Sequence, residues 1–289
     1  MRVRVLDAGD LPTLPDATWV DHSRQIYRKG ETAYVPVREE CAADTDLPER
    51  VRYRGRKYCM LGNVAVLHGK VPSEAEIQQV TDWTGATAVV HLSSIAGVMR
   101  TPLVGVLRGT CGDVIHRENG ITYRFDPSQV MFAMGNRRER ERMGRIVSPG
   151  ERVGDLCAGI GYFTIPMARA GASVHAIELN PVSYRYLCHN TVENRVGERV
   201  IPVLGDCRSC MSGTYNRIVI GHFQAAEFLP AALRHVRKGT MLHIHGLSDT
   251  PDPIKRCIAQ SGFSASVQVR RVKKYGPHTW HIVRDVVLS

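Results

Sequence analysis

Beyond residue 150, short apolar runs alternate with longer segments in which apolar residues recur at helical spacing. Residues 153–157, 173–178, 200–205, 217–220 and 240–245 read as strands. Residues 162–170, 181–193, 227–238 and 253–261 read as helices, three of them closed by a glycine at 171, 239 or 262. Strands alternating with helices of this length predict a mostly parallel, doubly wound α/β sheet. Two last β-like runs, 265–272 and 279–287, are joined by Lys273-Lys-Tyr-Gly-Pro277 and read as an antiparallel edge pair.

The pattern before residue 145 is different. Short β-like runs at 63–67, 88–91 and 102–107 are mixed with Gly, Pro and charge. Between the first two, residues 72–81 predict a helix with Ser73 as N-cap and acidic residues in its first turn. Asn119-Gly120 separates the runs 112–116 and 121–125, which predicts a hairpin. An arginine-rich helix over 136–145 follows, ended by Pro149-Gly150. The expected organisation is therefore a smaller α+β domain over 1–145 and a Rossmann-like domain over 146–289.

Composition narrows the class. Among 289 residues, 38 Lys and Arg oppose 28 Asp and Glu, a net +10 that favours a polyanionic partner such as nucleic acid. No apolar run approaches the roughly 20 residues needed to span a bilayer, and the first residues lack the apolar core of a signal peptide. The eight cysteines form no framework, and only Cys207 and Cys210 have CxxC spacing. Reduced thiols in a cytoplasmic protein, with no metal site, are expected.

Asp155-Leu-Cys-Ala-Gly-Ile-Gly-Tyr-Phe163 carries the strongest chemical signal. It follows the first strand of the alternating region and opens the first helix. Gly159 and Gly161 let the backbone approach a ligand that a Cβ would exclude. The second strand ends in Glu178, placed to accept both hydroxyls of a ribose, and the third ends in Gly205-Asp206, beside an adenine. In a doubly wound sheet these strand ends face one crevice. A dinucleotide fingerprint would require a third glycine where Thr164 stands. The acidic residue before the glycines suits the amino-acid end of S-adenosylmethionine instead. The expected cofactor-binding residues are Asp155, Ala158, Gly159, Gly161, Tyr162, Glu178, Asn180, Asp206 and Cys207.

From about residue 56 onward, the chain resembles the archaeal enzymes that modify position 37 of tRNA. The resemblance rests on Ile115-His-Arg-Glu-Asn-Gly120, Phe125-Asp126, Glu139-Arg140, the segment 155–164, Glu178-Leu-Asn-Pro181 and Gly205-Asp206. Within that group it is most similar to the aminocarboxypropyltransferases of wybutosine-derivative synthesis, and next to the tRNA guanine-37 N1-methyltransferases. The methyltransferases carry an Asn-Leu-Pro segment after the fourth strand, whereas this chain reads Ile220-Gly-His-Phe-Gln224. Met134-Gly135-Asn136 also stands where they have Ser-Pro-Arg.

The resemblance implies a class I methyltransferase-like fold and action on tRNA; residues 1–145 are expected to contact the tRNA or its base, and a monomer is expected. It implies transfer of the 3-amino-3-carboxypropyl group of S-adenosylmethionine to 4-demethylwyosine at position 37 of tRNA(Phe). Guanine-37 methylation is the alternative within the enzyme class, and an RNA-binding module with a degenerate cofactor fold the alternative outside it. Candidate catalytic residues are Glu139 and Arg100, matched to base-contacting residues of the methyltransferase, and His222, in the loop where the substrate should lie. The other arginines of 137–145 are expected to be solvated or to contact phosphate.

Overall fold

A computed structural model describes residues 1–14, 16–48, 53–248 and 253–289. The described chain divides into two compact units, Met1–Arg54 and Gly55–Ser289. The first holds strands β1 (Arg2–Asp7), β2 (Tyr27–Lys29), β3 (Thr32–Pro36) and β4 (Thr45–Asp46), in the order β2-β3-β1-β4. All its pairings are antiparallel. Its core is small, built on Ala8, Val20, Ala33 and Val35.

The second unit begins with a four-stranded sheet of β5 (Tyr58–Leu61), β6 (Val64–His68), β7 (Ala88–Ala96) and β8 (Thr101–Gly109). Helix α1 (Glu74–Thr84) supplies the crossover between the parallel pair β6 and β7. Ser73 caps it as expected, and Glu76 returns the bond to the Ser73 N–H, completing a capping box. The hairpin β9 (Val114–Glu118) and β10 (Ile121–Phe125) turns on Asn119 and Gly120. Both have positive φ, 50° and 73°, the conformation a two-residue type I′ turn demands.

After helix α2 (Arg137–Ile146) the chain builds the expected doubly wound sheet. Its elements are β11 (Arg152–Asp155), α3 (Thr164–Arg169), β12 (Ser173–Glu178), α4 (Pro181–Glu193), β13 (Val200–Leu204) and α5 (Cys207–Cys210). They continue with β14 (Arg217–Ile220), α6 (Ala225–Ala232), β15 (Met241–Leu247), α7 (Ile254–Gln260), β16 (Ala265–Lys274) and β17 (Trp280–Leu288). The order is β13-β12-β11-β14-β15-β17-β16, parallel except for the last two strands. The helix expected to run to residue 238 ends at Ala232 and gives way to one 3-10 turn over Leu233–His235. Beyond that turn, Thr240 draws the chain into a tight loop by accepting from the Arg237 N–H at 3.0 Å.

Strand alternation divides the core in two. Ile218 and Ile220 of β14 face α5, α6 and α7, while Val219 faces the opposite side. That opposite core also contains Leu61, Val66, Val90, Ile121, Tyr123, Phe125 and Met143. Residue 145, the expected domain boundary, therefore falls inside the second unit. The small sheet, the hairpin and α2 bury their apolar side chains against the same face as α3 and α4. Asn190 on α4 and Asn194 at its C-cap fix the hairpin there. Their amides exchange hydrogen bonds with the backbone of Arg124 and Thr122, taking up polar groups on the edge of β10.

Candidate active site

The strand order reverses direction beside β11, and a cavity of about 360 Å³ opens at the carboxyl ends of β11, β12, β13 and β14. Gly159, Tyr162, Glu178, Asp206 and Cys207 line it, together with Arg140, Gly221 and His222. The turn between β11 and α3 needs its glycines. Gly161 has φ 101°, and a Cβ there would stand 2.7 Å from Ile165 Cδ1. A Cβ on Gly159 would strike the Tyr162 ring at 2.4 Å.

Glu178 closes the turn from the side. Its Oε2 accepts from the Gly159 N–H at 2.7 Å and its Oε1 from the Asn180 N–H at 2.7 Å. A carboxylate offers about four lone-pair positions, so Glu178 keeps acceptor capacity for hydroxyls of a ligand. Burial raises its pKa, while those backbone bonds oppose the shift. Asp206 caps α5 by accepting from the Arg208 N–H at 2.8 Å, and it also pairs with the Arg208 guanidinium.

Four expected cofactor residues do not line this cavity: Asp155, Ala158, Gly161 and Asn180. Gly161 and Ala158 shape the turn from behind. Asn180 caps α4, accepting from the Val182 N–H at 2.9 Å, and reaches back to the Met99 carbonyl at 3.1 Å. Asp155 is wholly buried, and its Oδ2 accepts from the Thr164 hydroxyl at 2.7 Å. Its Oδ1 is buried without a partner. Burial, reinforced by the charge of Glu178, raises its pKa to about 7 against the bond from Thr164.

A second cavity of about 340 Å³ adjoins the first and shares Arg100, Met131, Asn136, Gly221 and His222 with it. Its other walls include Cys59 and Val66 of the small sheet, Phe223, His245, Lys273 and His281. Arg100 has φ 54°, a strained position for a residue with a Cβ. Its guanidinium lies 5.6 Å from the centre of the Phe223 ring and donates to Met131 Sδ at 3.4 Å. His222 Nδ1 accepts from the Gln224 N–H at 3.1 Å. Burial and the Arg100 charge lower its pKa, so the imidazole is neutral.

The structure brings Arg100 and His222 together at the junction of the cavities, but not Glu139. That carboxylate is buried and bound by Arg142 at 2.5 and 2.9 Å. Arg142 in turn grips Asp285 of β17 at 3.0 and 3.1 Å. Asp285 also receives His243, the strand neighbour of His245 on the same face.

Arg140 departs from the sequence expectation in the other direction. Expected to be solvated or phosphate-bound, it is 2% exposed and forms a bidentate pair with Glu118 of the hairpin. It lies 4.7 Å from the centre of the Phe132 ring and reaches the first cavity. Burial would raise the Glu118 carboxyl, but His116 and Arg140 together hold it down at about 2. Arg137, Arg138 and Arg145 are exposed, as expected. Sequence reasoning missed Lys273, His281 and Phe223 as cavity residues. The signal was present, since Phe223 falls in the 220–224 loop and the segment from Lys273 to His281 also resembles the aminocarboxypropyltransferases.

The chain matches the TRM5/TYW2 methyltransferase domain over residues 114–270. A tRNA(Phe) (4-demethylwyosine(37)-C(7)) aminocarboxypropyltransferase of Methanocaldococcus jannaschii is 34% identical over 244 residues, covering 80% of this chain and 97% of its own. Among solved structures, TYW2 of Pyrococcus horikoshii in complex with MeSAdo superposes with a TM-score of 0.69 at 28% identity, covering 81% of this chain and 91% of its own. Trm5b of Pyrococcus abyssi superposes with a TM-score of 0.73 at 25% identity, covering 99% of each chain.

Proposed function

The chain belongs to the TRM5/TYW2 methyltransferase-domain family, and from that premise we infer that it is a tRNA-modifying aminocarboxypropyltransferase. It transfers the 3-amino-3-carboxypropyl group of S-adenosylmethionine to C7 of 4-demethylwyosine at position 37 of tRNA(Phe), releasing methylthioadenosine. The observation that carries this reading is the fourth strand's end. Ile220-Gly221-His222 opens without proline between the cofactor cavity and a second cavity beside it. A Cβ at 221 would stand 3.2 Å from the Phe163 ring, so the strand end packs closely there.

S-adenosylmethionine supplies an electrophilic carbon and a thioether leaving group. The protein's task is to choose which of three carbons on sulfur faces the acceptor at about 3–3.5 Å. Glu178 and the 155–163 turn hold the ribose, and Asp206 and Cys207 stand beside the adenine. Arg100 and His222 act where the cavities meet, and Asn136 and Arg140 border the cofactor from α2. Glu139 works through α2, locking it to β17 by way of Arg142. No metal is needed, because the sulfonium carries its own leaving group.

The base-contacting role expected for residues 1–145 falls to residues 55–145, which supply one wall of the second cavity. The cationic excess also belongs to the second unit, since residues 1–54 hold nine Lys and Arg against ten Asp and Glu. Phosphate contacts are therefore assigned to residues 55–289, in a monomer acting in the cytoplasm.

Trm5b aligns over 99% of this chain, including the first unit, whereas TYW2 aligns over 81%. That coverage favours guanine-37 methylation as the second reading. One experiment separates the two. Unmodified and 4-demethylwyosine-containing tRNA(Phe) are incubated with S-adenosylmethionine labelled on the methyl or the carboxyl carbon. Carboxyl label in the second tRNA with release of methylthioadenosine is expected. Methyl label in unmodified tRNA would overturn the assignment.

A further inference from the structure

The second cavity contains two imidazoles whose bonding the fold leaves half complete. His245 on β15 and His281 on β17 are 3% and 1% exposed, and His245 Nδ1 meets His281 Nε2 at 2.9 Å. The two outer nitrogens, His245 Nε2 and His281 Nδ1, are buried with no hydrogen-bond partner. Both rings nevertheless line the cavity. Buried polar atoms are rarely left unpaired in folded proteins, and here two occur on one wall. Aromatic neighbours fix the ring planes: Phe223 stands edge-on to His281 at 5.1 Å, and Phe163 packs on His245 at 5.1 Å.

The shared hydrogen bond dictates what the outer nitrogens offer. If His245 donates it, His281 carries its own hydrogen on Nδ1 and His245 Nε2 is a bare lone pair. If His281 donates it, His245 carries hydrogen on Nε2 and His281 Nδ1 is bare. Either tautomer presents one donor and one proton acceptor.

We propose that the His245–His281 pair accepts the proton that the acceptor base loses from C7. This rests on the aminocarboxypropyl-transfer reading above. Ring π electrons form the C7–Cγ bond as the Cγ–S bond breaks and methylthioadenosine leaves as a neutral thioether. The base is left cationic, with hydrogen on a tetrahedral C7. The bare imidazole nitrogen removes that proton, and the C–H electron pair restores the aromatic ring. One positive charge thus passes from sulfonium to imidazole pair, and water takes the proton when product leaves.

Charges around the pair keep it in its accepting form. Lys273 faces His281, and burial together with that ammonium lowers its pKa to about 4. Around His245 stand His281, His243, Arg142 and Asp285, and burial is the main cause of a pKa well below the ordinary value. Both rings are neutral at physiological pH. A weak base suffices, because hydrogen on a tetrahedral carbon of a cationic ring is strongly acidic. His222 is less suited, since its Nδ1 already accepts from Gln224.

The test uses the full-length enzyme and 4-demethylwyosine tRNA carrying protium or deuterium at C7. Wild-type transfer of carboxyl label comes first, and its absence would refute the functional reading rather than this one. His281→Asn and His245→Asn are then compared in single turnovers, with S-adenosylmethionine and tRNA affinities measured by calorimetry. Unchanged affinities are expected, with the rate lowered about 100-fold or more. Deuterium should leave the wild-type rate unchanged and slow both variants, because proton removal has become limiting. Wild-type rates in both variants, or lowered rates without a deuterium effect, would overturn the proposal. So would a deuterium effect appearing in His222→Ala instead.

Discussion

The two cavities meet at Gly221 and His222 but are built on opposite principles. The first cavity takes two carboxylates from successive strand ends, and both are already hydrogen-bonded. Glu178 accepts two backbone N–H groups, and Asp206 caps its own helix. The second cavity draws on the small sheet, the 130–136 segment, the 221–223 loop, β15 and the closing strand pair. Its imidazoles are left half-satisfied. A ligand of the first cavity finds a site shaped beforehand by backbone. A ligand of the second completes bonds that the protein alone leaves open.

Arg140 stands between the two: it reaches the first cavity, while its guanidinium donates to the Ala133 carbonyl and lies over Phe132, both on the wall of the second. Arg140→Met strands the Glu118 carboxylate and should cost about 3–5 kcal/mol in urea unfolding. Adding Glu118→Gln should recover part of that loss. A single variant as stable as wild type would show that the hairpin is held by apolar packing alone.

Glu178→Ala attacks the prebuilt cavity directly. It removes the ribose acceptors and also leaves the Gly159 and Asn180 N–H groups without their partner. S-adenosylmethionine binding should weaken by well over tenfold, equivalent to more than about 1.4 kcal/mol. Isothermal calorimetry that returned wild-type affinity would move the cofactor elsewhere. The same substitution should leave the imidazole pair, and hence its nitrogen-15 NMR signature, unaltered.

The smallest effect concerns pH. Asp155 has its pKa raised from 3.8 to about 7, so the folded protein keeps a proton that the unfolded chain releases. Stability from this group is present in acid and declines as pH rises from about 4 to 7. Asp155→Asn should therefore flatten the melting-temperature profile of the ligand-free protein between about pH 4 and 7, by the order of a few degrees. An identical slope in both proteins would place the charge of Asp155 outside the folding equilibrium.

Much of the second unit could be read directly. The parallel strands, the hairpin turn at Asn119-Gly120 and the Ser73 cap each depend on neighbours within a few residues. The first 54 residues could not, because their strands run from two to six residues over a small core. Periodicity needs longer runs to register. In the site, strand-end carboxylates were legible because doubly wound topology fixes where strand ends go. Asp155 was identified as a cofactor contact, yet its position at the end of β11 turns it inward toward Thr164.

The sequence alone determined the alternating sheet, the glycine turn at 155–163 and the acidic ends of the next two strands, all products of local turn chemistry and period. Tertiary structure decided which charges are buried and what they meet. Arg140 finds Glu118 across 22 residues, and His245 finds His281 across 36. A polar residue takes its character from the partners that close around it, and those pairs exist only once the hairpin, α2 and the edge strands have packed against one sheet.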